Sequence, residues 1–217
     1  MRKGLTELVF ILDRSGSMSG LESDTIGGYN AMLKKQAEAD GEVILTTVLF
    51  DDAFELLHDR INLKAIMPMT DRDYFVRGST ALLDAVGKSI QKIVNVQKGT
   101  LEDERPEKTI FVITTDGLEN ASREYSYEKI RTLIENQREK EGWEFIFLGA
   151  NIDAVSEAKR FGIDESRAAQ FHNDQEGVEL NYAVVSEAVM ELRANKSISE
   201  HWKEKIEDHY KRTKKSK

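Results

Sequence analysis

Apolar and polar residues along this chain alternate between two rhythms. One is short and continuous: Leu8 to Leu12, Val43 to Phe50, Thr109 to Thr115 and Trp143 to Leu148 are nearly unbroken apolar or β-branched runs. Runs of that length and kind are what strands buried on both faces require. The other rhythm is helical. Ile26, Tyr29 and Leu33 share one face of a segment ending near Asp40-Gly41, and Leu82, Val86, Ile90 and Ile93 mark a second, long helix from Ala81. Tyr127, Ile130 and Ile134 mark a third, and Ala154 and Ala158 a short one that stops at Gly162. Leu180, Val184, Ala188 and Leu192 mark the last strong helix, over about 178–195. Ala53 to Leu57 follows the turn-like Asp51-Asp52 as the second arm of a hairpin, and Ala168 to Phe171 reads as a short last strand.

Strands alternating with helices imply right-handed crossovers and a mostly parallel sheet covered on both faces. The expected fold class is therefore α/β: a doubly wound, Rossmann-like central sheet of about six strands. Both prolines, Pro68 and Pro106, are expected in connections. After Asn195 the apolar pattern weakens, and residues 203–217 carry seven Lys or Arg against three acids. The expectation is one domain over 1–195, followed by a frayed helix and solvated basic tail over 196–217.

At 217 residues, with 40% apolar and 32% charged, the composition is that of one soluble globular domain. No apolar run is long enough to span a bilayer, and the first apolar stretch reads as a strand rather than a signal peptide. The absence of cysteine fits a reducing compartment, so the expected setting is cytoplasmic. With no Cys and four scattered His, zinc sites are disfavoured and any metal should be held by oxygen. A net charge of -8 argues against a nucleic-acid partner.

The residues that carry chemistry lie where the strands end. Asp13, Ser15 and Ser17 follow the first strand, Asp116 closes the strand that begins near Thr109, and Thr80 precedes the long helix. In a doubly wound sheet, ligands gather outside the carboxyl ends of the strands. Singly, each residue has a plain structural role: Ser17, Ser19 and Thr80 as helix caps, Asp116-Gly117 as a turn. Together they bring two carboxylates and three hydroxyls to one crest. That mixture suits Mg2+ or Mn2+, with the hydroxyls as direct ligands and Asp13 and Asp116 supplying charge directly or through water. An ion so incompletely neutralised accepts one more anionic oxygen from outside.

In order and context, Asp13-x-Ser15-x-Ser17, Thr80 and Asp116 resemble the metal-ion-dependent adhesion site of von Willebrand factor A domains. The flanking Phe10-Ile11-Leu12, Gly78-Ser79-Thr80-Ala81-Leu82 and Ile113-Thr114-Thr115-Asp116-Gly117 share that likeness, which spans roughly residues 5–195. The resemblance implies an intact site in a small intracellular bacterial type of the family and a sheet with one antiparallel edge strand. Ser15, Ser17 and Thr80 would touch the metal (Mg2+, or Mn2+ or Ca2+), and Asp13 and Asp116 would be direct or outer ligands. It also implies a protein partner that supplies an Asp or Glu carboxylate, such as an AAA+ ATPase or an operon companion. Arg14, Ser79, Glu119 and Asn120 are the candidate rim. Asp51-Asp52 is expected to be a turn. No catalytic residues are expected, because no Walker loop, dinucleotide fingerprint or nucleophile elbow is present. The alternative is a metal-dependent hydrolase of phosphate esters.

Overall fold

The computed structural model describes residues 1–215, with side chains described through Thr213; residues 216 and 217, the end of the expected tail, lie outside the described residues. Six strands form one sheet: β1 (Arg2–Asp13), β2 (Glu42–Phe50), β3 (Phe54–Asn62), β4 (Pro106–Thr115), β5 (Glu144–Ala150) and β6 (Ala168–Phe171). Their order is β3-β2-β1-β4-β5-β6, parallel throughout except for β3, which pairs antiparallel with β2. The strand order reverses at β1, which lies between β2 and β4.

Helices α1 (Glu22–Glu38), α2 (Leu82–Lys98), α3 (Tyr127–Glu141), α4 (Ala154–Arg160), α5 (Gln175–Arg193) and α6 (Glu204–Lys215) cover the two faces. The alternation of side chains along β1 shows why both faces must be covered. Leu8, Phe10 and Leu12 enter a core shared with α1 and α5, while Val9 and Ile11 enter a second core under α2 and α3. A strand with both faces in oil must be apolar at every position, and Leu8 to Leu12 is.

Two expectations are corrected. Pro106 is the first residue of β4 rather than part of a connection, a position where the missing N–H removes no ladder bond. The segment after Asn195 is also not a loose tail up to the limit of the described residues. Ile198, Trp202 and Ile206, spaced four apart, are buried in the α1–α5 core. The indole N–H of Trp202 donates to Ser166 C=O (2.7 Å), and the Lys203 ammonium donates to the carbonyls of Glu165 (2.8 Å) and Ala168 (2.9 Å). Helix α6 thus packs on β6 and α5 and shields the short edge strand. Lys203, counted in the basic tail, serves the backbone.

Candidate functional site

Asp13 is the last residue of β1, and its carboxylate is buried. One oxygen accepts the Ser15 N–H (2.7 Å) and the other accepts the Thr115 hydroxyl from the end of β4 (2.6 Å). The carbonyl of Asp13 accepts the Tyr74 hydroxyl (2.6 Å). Backbone and side chain are therefore both fixed, from the neighbouring strand and from the loop that follows β3.

The other four predicted residues meet beside it in a continuous chain. The Thr80 hydroxyl donates to Ser15 Oγ (3.0 Å), Ser15 Oγ lies 3.1 Å from Ser17 Oγ, and the Ser17 hydroxyl donates to Asp116 Oδ1. Asp13, Ser15, Thr80 and Asp116 are buried, whereas Ser17 is exposed, so the cluster has a buried floor and opens at Ser17. Two glycines make this approach possible. A Cβ at Gly78 would stand 2.2 Å from Asp52 Oδ1, and at Gly117 3.3 Å from both the Ser17 and Thr80 hydroxyls. Gly78 also needs its φ of +67°.

The electrostatics are unbalanced. Burial pushes the Asp13 carboxyl above its usual range, against the opposing hydrogen bonds of Thr115 and Ser15. Burial likewise raises Asp116 to about 6, with the Asp13 charge adding to the rise and the Ser17 hydrogen bond opposing it. Among the described residues no Lys, Arg or His pairs with either acid; the adjacent Arg14 turns its Nε to Asp51 (2.9 Å) and its Nη2 to Glu55 (2.6 Å). Two carboxylates thus share a buried corner with neutral hydroxyl and amide donors. No group of three or more His, Asp or Glu side chains converges as a metal cluster among the described residues. Any ion here would lean on the serine and threonine oxygens.

The predicted rim divides. Arg14 is not on it: the side chain is fully buried, because Asp51 and Glu55 draw the guanidinium inward and the Phe75 ring covers it, 5.4 Å from the ring centroid. Glu119 is turned into its own loop, where its carboxylate accepts N–H groups of Ala121 (2.9 Å) and Ser122 (2.7 Å) and of Leu83 in the first turn of α2 (2.9 Å). It caps that helix from outside. Asn120 is exposed but grips Thr80, with Oδ1 accepting the Thr80 N–H (2.9 Å) and its own N–H donating to Thr80 C=O (3.0 Å). Ser79 is exposed on the crest. Asp51, at the β2–β3 turn, accepts from both Arg14 and Arg77.

Two contributors carry no motif: Tyr74, which holds Asp13 together with Thr115 of the flanking stretch, and Asn173, whose Nδ2 donates to Asp116 Oδ2 (3.0 Å). Asn173 follows the end of β6, and its position past a parallel strand on the same side of the sheet was the only available signal.

No family model matches the chain, and no curated protein matches it in sequence. Solved structures do match its fold, and they are von Willebrand factor A domains. The structure of proximal thread matrix protein 1 from the mussel byssus with a zinc-occupied MIDAS motif is 17% identical at a TM-score of 0.57, covering 87% of this chain and 46% of that one. The vWF domain of the type V pili tip protein Mfa5 from Porphyromonas gingivalis is 10% identical at 0.60, over 85% and 94%. The manganese-loaded Plasmodium vivax TRAP protein is 16% identical at 0.56, over 83% and 72%. This chain therefore has a von Willebrand factor A fold, and it spans about half the length of the byssus protein.

Proposed function

We propose that the crest is a metal-ion-dependent adhesion site and that the protein is a binding module, joining an acidic side chain of a protein partner through a Mg2+ or Mn2+ ion. The observation that carries this is the convergence of Ser15, Ser17, Thr80 and Asp116 on one buried corner, beside Asp13 and without a pairing cation. The spacing fits. Oxygens bound octahedrally at about 2.0–2.1 Å stand about 2.9 Å apart, and these hydroxyls are 3.0 and 3.1 Å apart. The byssus protein's MIDAS motif is zinc-occupied and the TRAP protein is manganese-loaded, which supports a divalent ion.

A bound cation would supply a coordination position open to a carboxylate oxygen from outside. The chain's own residues do the rest. Asp13 and Asp116 supply the negative charge of the corner, and their other contacts are neutral hydroxyl and amide donors. Thr115 and Tyr74 keep Asp13 in place, Asn120 keeps Thr80 in place, and exposed Ser17 marks the open side. The surroundings favour binding over phosphate-ester hydrolysis. His172, next to Asn173, has its Nδ1 3.2 Å from Asp174 rather than at the crest, and among the described residues no Lys, Arg or His pairs with Asp13 or Asp116 to serve beside them. The reading carries with it a cytoplasmic setting and an AAA+ ATPase or operon companion as the acidic partner. Among the described residues no helix is long and apolar enough to cross a membrane.

The test uses the full chain as bait in a cell lysate, with Mg2+ or with EDTA, beside an Asp13→Ala, Ser15→Ala double variant. A protein retained only with Mg2+ and only by the wild type supports the reading. Retention indifferent to metal and to the substitutions removes it.

A further inference from the structure

Two large apolar side chains stand exposed on the crest itself. Leu118 is 59% exposed and Phe75 44%, and neither belongs to either core. Scattered exposed leucines are ordinary; the positions of these two, and their rigidity, are not. Leu118 follows Gly117, whose Cα faces Ser17 and Thr80, and precedes Glu119, whose carboxylate staples the loop to α2. Phe75 follows Tyr74, the residue that holds the Asp13 carbonyl, and the guanidinium groups of Arg14 and Arg77 stand 5.4 and 5.3 Å from its ring centroid. Arg77 fastens this loop by donating its N–H to Arg14 C=O (2.9 Å) and its Nε to Asp51 at the end of β2 (2.6 Å). Phe75 stands in the loop that Arg77 ties to Asp51 after β2, and Leu118 in the loop after β4, the strands on either side of β1.

The charges beside them narrow what can sit there. The nearby arginines already have carboxylate partners: Arg14 is buried on Asp51 and Glu55, and Arg77, 45% exposed, donates to Asp51. Glu55 is half exposed, and the chain as a whole carries -8. A polyacidic segment would meet repulsion outside the metal position, whereas a single acid with apolar neighbours would meet Phe75 and Leu118.

We propose that Phe75 and Leu118 are the docking contacts for a partner segment in which one Asp or Glu is flanked by apolar side chains. This deepens, and rests on, the reading of the crest as a metal site. The probe is a displayed library of random linear peptides, selected on the full chain with Mn2+ and eluted with EDTA. Mn2+ binding by the chain is followed separately by electron paramagnetic resonance. Enriched peptides should pair an Asp or Glu with adjacent Leu, Ile, Phe or Met. A synthetic peptide of that kind should bind about tenfold or more weakly to Leu118→Ser and to Phe75→Ser, with Mn2+ binding unchanged in both. Leu118 packs in neither core, so its variant keeps the test sound even if the Phe75 loop shifts. Mn2+ binding together with selection of acids lacking apolar neighbours, or peptide binding indifferent to both substitutions, overturns this inference alone. Absence of Mn2+ binding by the folded wild type overturns the metal reading and this inference with it.

Discussion

Asp116 is the residue whose chemistry is most exposed to measurement. Its carboxyl titrates near 6, raised first by burial and then by Asp13. Between the unfolded value of about 4 and that folded value, the native chain keeps a proton that the unfolded chain has lost. Metal-free protein therefore loses stability as pH rises through this window. A cation competes with that proton, so Mg2+ should raise the melting temperature more at about pH 7 than at about pH 5. Melts with and without Mg2+ at both values check this, and an equal rise at the two would contradict it. Asn173→Ala removes the donor to Asp116 Oδ2. Mn2+ affinity should fall about tenfold, the usual scale for an outer hydrogen bond, with the far-ultraviolet circular dichroism unchanged. The five motif residues were legible in the sequence because each follows an apolar run or opens a helical one. Asn173, Tyr74 and the inward turn of Arg14 were not, because which side chain reaches which loop is decided by packing across the sheet.

At the scale of elements, the loop after β4 is held by a clamp. Asp84 in the first turn of α2 accepts the N–H groups of Arg123, Glu124 and Tyr125 at 2.9 Å, while Glu119 returns the favour to Leu83. Burial raises the Asp84 carboxyl, but those three amides outweigh it and leave the group below its ordinary value. Its contribution is present above the unfolded value and fades as pH falls through the lower folded one. Asp84→Ala strands these donors, so it should cost about 2–3 kcal/mol in urea unfolding and weaken Mn2+ binding by loosening Thr80 and Asp116. A change under about 0.5 kcal/mol would mean the loop stands without the clamp. Periodicity gave the strands and helices well, since two-faced burial leaves a continuous apolar run and one-faced burial a helical stripe. The long connection between β3 and α2 has no period, which is why Tyr74 and Phe75 passed unnoticed there.

For the whole molecule, the C-terminal segment takes part in the packing. Its Ile198, Trp202 and Ile206 sit in a core with α1 and α5, although their spacing of four was masked in the sequence by the charges around them. Trp202→Ala removes a nearly buried ring and the bond to Ser166. It should cost about 3–5 kcal/mol, read as a drop in the urea midpoint; a negligible shift would restore the picture of a solvated tail. The alternation of strands and helices follows from patterning and the antiparallel edge from the resemblance, and the sheet matches von Willebrand factor A structures at 10–17% identity. Such likeness fixes the fold, and the metal must be tested at the site. The most direct measurement is titration of the metal-free chain with Mn2+, reading the free ion by electron paramagnetic resonance, for the wild type and for the Asp13→Ala, Ser15→Ala variant. One ion per wild-type chain, bound about a hundredfold or more weakly by the folded variant, is the predicted result. A folded wild type that binds no Mn2+, or a variant that binds it equally well, would contradict the account.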